Sequence, residues 1–322
     1  MSSTNSFSTS ISEMLGIQYP IIMAPMFLVS NTNMVKAAID AGITGAIPAM
    51  NYRTVQELES AIKELKDHGG PFGINLIVNK SNFNYKEQLA VCCRLKVDFI
   101  ITSLGSPEET IKAAHKSGVK VFCDVTDARY AQKVVDLGAD ALIAVNNIAG
   151  GHLGHLSPEE FIPALKKSFN IPVISAGGVG NYNGVQHMLH LGADGLSIGS
   201  IFIASDECGV NEEYKNAIVE YGANDIVTTE KLSGSPCTVI NTPYVQQTGT
   251  KRNWLEALLS KNKRLKKWMK ALTFIKGMKS LQKAAFSTTY QNVWCAGQSI
   301  EHVHEIKSVK QIVEQLTRQG NG

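Results

Sequence analysis

Ala141-Leu142-Ile143-Ala144-Val145, then Ile148-Ala149-Gly150-Gly151-His152-Leu153-Gly154-His155, then Ser157-Pro158-Glu159-Glu160: these three consecutive pieces decide how the chain reads. The first is an apolar run with the length and composition of a buried strand. The last is a helix start, with a capping Ser, Pro at the first helical position and acids in the first turn. Between them a histidine is displayed on a glycine-softened loop at the carboxyl end of a strand. In α/β proteins built from repeated strand–helix units, that end is where chemistry is done. The paired glycines let a flat ligand lie against bare backbone, and the imidazole can act as a base near neutral pH.

The same strand–helix beat extends outward from this unit. Upstream, Ile21-Ile22-Met23-Ala24, Thr44-Gly45-Ala46-Ile47, Phe72-Gly73-Ile74-Asn75-Leu76, Phe99-Ile100-Ile101-Thr102 and Val119-Lys120-Val121-Phe122-Cys123 read as strands one to five. Downstream, Pro172-Val173-Ile174-Ser175 and Gly195-Leu196-Ser197-Ile198 read as strands seven and eight. Thr54 with Glu57 is a capping box, Asn84 with Glu87 opens another helix, and Ser106-Pro107-Glu108-Glu109 matches the later Ser157 start. Gly42, Gly118, Gly138 and Gly192 each sit where a helix must reverse into the next strand, a position that wants a left-handed residue. Eight such units without an antiparallel hairpin signal predict a TIM (β/α)8 barrel rather than an open doubly wound sheet.

The beat is lost after Ile203. Residues 205–250 read as short helical pieces and a Ser/Gly/Pro/Thr-rich loop, and 253–283 as a helix with Leu265, Trp268, Leu272 and Ile275 on one face. Ser308 and Gln311 then open a final helix with Val309, Ile312, Val313 and Leu316 as its apolar stripe. The expected plan is a barrel over 11–204, a helical cap inserted after strand eight over 205–290, and a final barrel loop and helix over 291–322. The first ten residues read as a frayed lead-in, with no signal or transit pattern.

Composition narrows the function classes. The 322 residues are 44% apolar and 18% charged, as in a globular protein with a real core, and no apolar run is long enough for a membrane span. The six cysteines form no Cys-x-x-Cys pair, so neither a metal cluster nor a disulfide framework is expected, and a reducing, cytoplasmic setting fits. Between Lys251 and Lys283 lie eleven Lys/Arg against the single acid Glu256, while the whole chain carries only +3. That segment reads as a solvated helix face or a dock for an acidic partner. No basic–aromatic module for nucleic acid is present.

Two more loops belong to the same end of the barrel. Ser175-Ala176-Gly177-Gly178-Val179 follows strand seven, and Ile198-Gly199-Ser200 follows strand eight. Bare amides at this pair of loops suit a phosphate dianion. Gly178-x-Gly180-x-x-x-Gly184 has the wrong spacing for a dinucleotide fingerprint.

These loops, with Pro20-Ile21-Ile22-Met23-Ala24-Pro25-Met26, Gly73-Ile74-Asn75-Leu76, Leu191-Gly192-Ala193-Asp194-Gly195 and Ala296-Gly297-Gln298, resemble the nitronate monooxygenase family. That family also contains flavin-dependent enoyl-thioester reductases and NAD(P)H:quinone reductases. The resemblance implies an FMN-containing barrel with His152 as catalytic base. By position it implies Asn75, Gly150 and Gly151 at the flavin ring, and Ala24, Pro25 and Met26 beneath it. Ala176, Gly177, Gly178, Ser197, Ile198, Gly199 and Ser200 would hold the FMN phosphate. The chain departs from the family pattern at Val145 and Ile148, which replace Gln and Glu, and at Phe27-Leu28, which replace small glycines.

The resemblance implies oxidation of a small nitronate with O2, or, as the alternative, reduction of an enoyl thioester or quinone with NAD(P)H as transient reductant. A flavin-free phosphate-binding barrel would use the same glycine loops. A lone histidine is usually structural, but His152 has the strand-end position and flanking glycines of a functional one. His155 reads as a loop residue, Asp124 as a solvated or helix-capping acid, and Cys237 as a residue outside the nucleophile position of related barrels.

Overall fold

The computed structural model describes residues 7–79, 82–232, 236–250 and 293–319. The expected helix over 253–283 and its basic face therefore lie outside the described residues. The chain opens with α1 (Ser10–Leu15), capped by Thr9 in a box with Ser12. Phe7 is buried and packs edge-on against Tyr19 at 5.2 Å, so the lead-in is built into the fold from residue 7 onward.

Eight parallel strands close into a barrel: β1 (Ile21–Met23), β2 (Thr44–Pro48), β3 (Phe72–Ile77), β4 (Phe99–Ser103), β5 (Lys120–Val125), β6 (Ala141–Val145), then β8 (Val173–Ala176) and β9 (Gly195–Ile198). The intervening β7 (Gly151–His152) lies outside the barrel. Closure is made by β9 on β1, with Ile22 opposite Ser197 and Met23 opposite Ile198. The ring outside the strands comprises α2 (Thr32–Asp40), α3 (Val55–His68), α4 (Tyr85–Arg94), α5 (Glu108–Lys116), α6 (Ala128–Asp136), α7 (Pro158–Ser168) and α8 (Tyr182–His190). Strands this apolar on both faces need such covering, which is why they read as continuous hydrophobic runs.

Two apolar layers result. Inside the barrel, Ile22, Ala46, Ile101, Ile143 and Ile174 meet Ile11 and Leu15 of α1, which plugs the amino-terminal end. Phe99 and Phe122 stack there at 4.9 Å, and Gly73 is bare because a Cβ on it would lie 2.2 Å from the Phe99 ring. The larger layer lies between strands and helices.

Local signals account for most boundaries. Thr54/Glu57 and Ser157/Glu160 form capping boxes, and Gly42, Gly118, Gly138 and Gly192 all have φ between 74 and 98°. Two expected starts differ in detail. At α5, Pro107 occupies the cap position without a side-chain bond, and Ser106 faces the cavity described below. Asn84 precedes α4 but makes no side-chain cap bond.

Residues 205–250 depart from the expected run of helical pieces and loop. They hold α9 (Glu212–Glu220) and also two strands, β10 (Ile226–Thr229) and β11 (Cys237–Ile240), before α10 (Pro243–Thr248). The β-branched runs Ile226-Val227-Thr228-Thr229 and Thr238-Val239-Ile240 favour a pleated surface, and β11 gains a partner on each side. Its antiparallel neighbours are β10 and β7, with Cys237 opposite His152. The chain then returns as α11 (Val309–Thr317), opened by the Ser308/Gln311 box and packed on α2 and α8, completing the helical ring.

Candidate active site

A cavity of about 640 Å³ opens at the carboxyl ends of the barrel strands. The candidate catalytic and cofactor-binding residues read from the sequence all line it. Ala24, Pro25 and Met26 come from the end of β1, Asn75 from β3, and Gly150, Gly151 and His152 from the loop after β6. Ala176, Gly177 and Gly178 follow β8, while Ser197, Ile198, Gly199 and Ser200 close β9 and start the next turn. His155 is exposed and is not part of the lining.

The His152 loop is held from both sides. Asn146, only 1% exposed, receives the Ile148 N–H on Oδ1 at 3.1 Å and donates Nδ2 to the Gly177 carbonyl at 3.1 Å. Its own carbonyl accepts the Gly154 N–H at 3.0 Å. On the other side Thr238 of β11 accepts the Gly151 N–H at 2.9 Å and donates to the Ala149 carbonyl at 3.1 Å. The imidazole is exposed at the cavity, while the protein massed around it weakens the solvation of its charged form. That desolvation lowers its pKa below the ordinary 6.5, so the ring is neutral and basic at pH 7.

Three glycine loops meet at the far wall. The Gly297 N–H donates to Ser200 Oγ at 2.9 Å. A Cβ on Gly150 would lie 2.5 Å from that oxygen and 2.9 Å from the Gly297 nitrogen, so only glycine admits the approach. Gly177, at φ 118°, passes so close to Ala149 that a Cβ would meet its backbone nitrogen at 2.6 Å. Ile148, where the resemblance expects Glu, packs its side chain over Gly178. Among the described residues, the N–H groups of Gly178, Gly199 and Ser200 have no protein acceptor. Ser200 is buried and the two glycines are half-buried, so converging N–H groups at this wall suit an anion.

On the opposite wall Asn75 donates Nδ2 to the Ile101 carbonyl at 3.2 Å and to Ser103 Oγ at 2.8 Å. Ser103 donates in turn to Asp124 Oδ2 at 2.5 Å. Asp124 neither caps a helix, a role taken by Asp127, nor is it freely solvated. Burial raises its carboxyl from 3.8 to about 6, partly opposed by the Ser103 bond. Cys237 also reaches the cavity, with Sγ 3.9 Å from Cys295 Sγ. That contact and burial raise its thiol well above its ordinary value, which disfavours a nucleophilic thiolate.

The sequence reading had missed Asn146, Ser103 and Thr238. The first two are polar residues at or just past strand ends, a visible signal. Thr238 had none, because its partners lie nearly ninety residues away.

The family model for nitronate monooxygenase matches residues 80–319. The chain belongs to the nitronate monooxygenase family, and is thereby an oxidoreductase. Its barrel superposes on FabK from Thermotoga maritima with a TM-score of 0.83 and 30% identity, over 96% of this chain and 94% of that one. A (3aS,4S,5R,7aS)-5-hydroxy-7a-methyl-1-oxo-octahydro-1H-indene-4-carboxyl-CoA dehydrogenase of Rhodococcus jostii is 29% identical, over 89% of this chain and 82% of its own length. A probable nitronate monooxygenase of Staphylococcus saprophyticus is 26% identical, over 74% of this chain and 80% of its own. The apolar Val145 and Phe27 both face the cavity.

Proposed function

We propose that this chain is an FMN-dependent oxidoreductase acting on the acyl part of a thioester, with His152 as its proton-handling base. The observation that carries the reading is the character of the cavity. It is large and mainly apolar, with a neutral imidazole on one wall and a carboxyl on the other, and the cation that reaches it among the described residues is the exposed Lys133. A small anionic nitronate would have to approach that carboxyl, whereas an uncharged acyl group suits the lining. The carboxyl-CoA named for the Rhodococcus relative is of this chemical class.

The donor set fits FMN. The unpaired amides of Gly178, Gly199 and Ser200 would take the phosphate, and Asn75, Gly150 and Gly151 would face the ring. When bound, FMN supplies two-electron exchange with substrate. The protein's own work is then to orient, to exclude water and to move one proton. Thr238 and Asn146 fix the loop that presents His152, and desolvation keeps its ring ready to accept a proton from the carbon beside the thioester carbonyl, or as imidazolium to return it.

Nitronate oxidation is the second reading, favoured by the Staphylococcus relative. The full chain loaded with FMN separates the two. Anaerobic bleaching by NADH or NADPH, reversed by a trans-2-enoyl-CoA, supports the thioester reading. Indifference to nicotinamide together with oxygen uptake on propyl-2-nitronate supports the second. Protein that stays colourless after reconstitution refutes both and favours a flavin-free phosphate-binding barrel.

A further inference from the structure

Asn75, Ser103 and Asp124 end three neighbouring barrel strands, and their hydrogen bonds run in one direction. Ser103 has one hydroxyl proton, and it goes to Asp124 Oδ2 at 2.5 Å. Ser103 Oγ therefore accepts the Asn75 amide, whose other hydrogen is held by the Ile101 carbonyl. Both amide hydrogens are thus committed inside the wall, and Oδ1 is the group Asn75 has left for a ligand. The array carries no obvious structural duty: it closes no turn and caps no helix.

Asp124 has no cation in hydrogen-bond contact among the described residues. On its own strand the titratable neighbour is Cys123, whose thiol burial raises to about 12. From α6 come Tyr130, with its hydroxyl given to the Gly105 carbonyl, and Lys133, which is exposed and reaches the same cavity. Across the cavity stands His152. The adjacent strands β4 and β6 offer only Thr102, Ser103, Ile143 and Val145. Burial with one hydroxyl donor leaves the carboxyl at about 6, so it is mostly ionised at pH 7 but close to taking a proton.

We propose that Asp124 is a proton-accepting positioning residue for the flavin site, coupled to the ring through Ser103 and Asn75. The inference rests on the reading that this cavity takes FMN. Two electrons from a donor such as dithionite enter the ring with one proton and leave it with one added negative charge. Like charge in a desolvated cavity disfavours a neighbouring carboxylate. A second proton from solvent then bonds to the free oxygen of Asp124, giving the neutral acid, while the electrons stay on the ring. Nothing else is consumed.

The test is the midpoint potential of the FMN-loaded full chain, measured with redox dyes in steps from pH 6.5 to 8. Uptake of two protons makes the two-electron reduction constant fall hundredfold per pH unit, about 59 mV, whereas uptake of one gives tenfold, about 30 mV. The steep slope is expected for the wild type and the shallow one for Asp124→Asn. Ser103→Ala, which removes the bond that favours the ionised form, is expected to move the steep region to higher pH. A shallow wild-type slope throughout overturns the proposal without any variant. An Asp124→Asn protein that keeps the steep slope also overturns it and transfers the second proton to His152. A wild-type chain that takes no FMN overturns the cofactor reading, and this inference with it.

Discussion

Replacing Asp124 by Asn removes a charge that the fold holds at a cost, and the cost has a distinct pH signature. The carboxyl rises from 3.8 to about 6 on folding, so the folded chain binds its proton more tightly than the unfolded chain does. The stabilisation from that tighter binding is complete below the unfolded value, is lost as pH rises through about 6, and is absent at neutrality. The full span corresponds to about 3 kcal/mol, of which about 2 kcal/mol falls between pH 4.5 and 7.5. Asn keeps the shape and can still accept from Ser103, but it does not titrate. The stability difference, variant minus wild type, should therefore grow by about 2 kcal/mol between those two pH values. For a chain of this length that is about 3 °C in the thermal midpoint. Parallel curves for the two proteins across that range would refute the argument that burial, rather than a compensating contact, sets this carboxyl.

Gly177→Ala forces a side chain at φ 118° against the Ala149 backbone; it should lower stability by about 2 kcal/mol or more and abolish FMN retention, read by thermal melts and flavin fluorescence. Gly151→Ala, at φ 75° but facing open space, should cost only about 1 kcal/mol of strain in the same melts. Thr238→Val removes the acceptor for the Gly151 N–H and should cost about 1–2 kcal/mol and reduce kcat, with FMN affinity unchanged. His152→Ala should keep the flavin spectrum while turnover falls about 10²–10⁴-fold. Because partial desolvation lowers the imidazole below 6.5, wild-type activity should be flat through neutrality and fail only as pH falls through that depressed value.

The barrel was legible because its signals are local. Capping boxes, left-handed glycines and uninterrupted apolar strands are each written within a few residues, and they agree with one another from Ile21 to Ile198. The glycine loops were legible for the same reason, since a strand end followed by bare backbone announces a ligand face. What escaped was non-local. Phe7 looks like the end of a polar tail until Tyr19 and the outer apolar layer are there to receive it. The strands β10 and β11 are too short to declare themselves, and β11 owes its place to pairing with Gly151 and His152. Asp124 looked ordinary because its burial is created by three strand ends meeting, not by its neighbours in the chain.

The sheet that joins β7 to β11 has an engineering consequence. Since Cys237 and Thr238 pair with His152 and Gly151, the segment beyond the eighth barrel strand is a splint for the loop that carries His152. Exchanging that segment with one from a sister enzyme would retune more than the entrance. The donor would have to bring a hydroxyl at the position of Thr238, or the graft would inherit a new door and a loose hinge pin together.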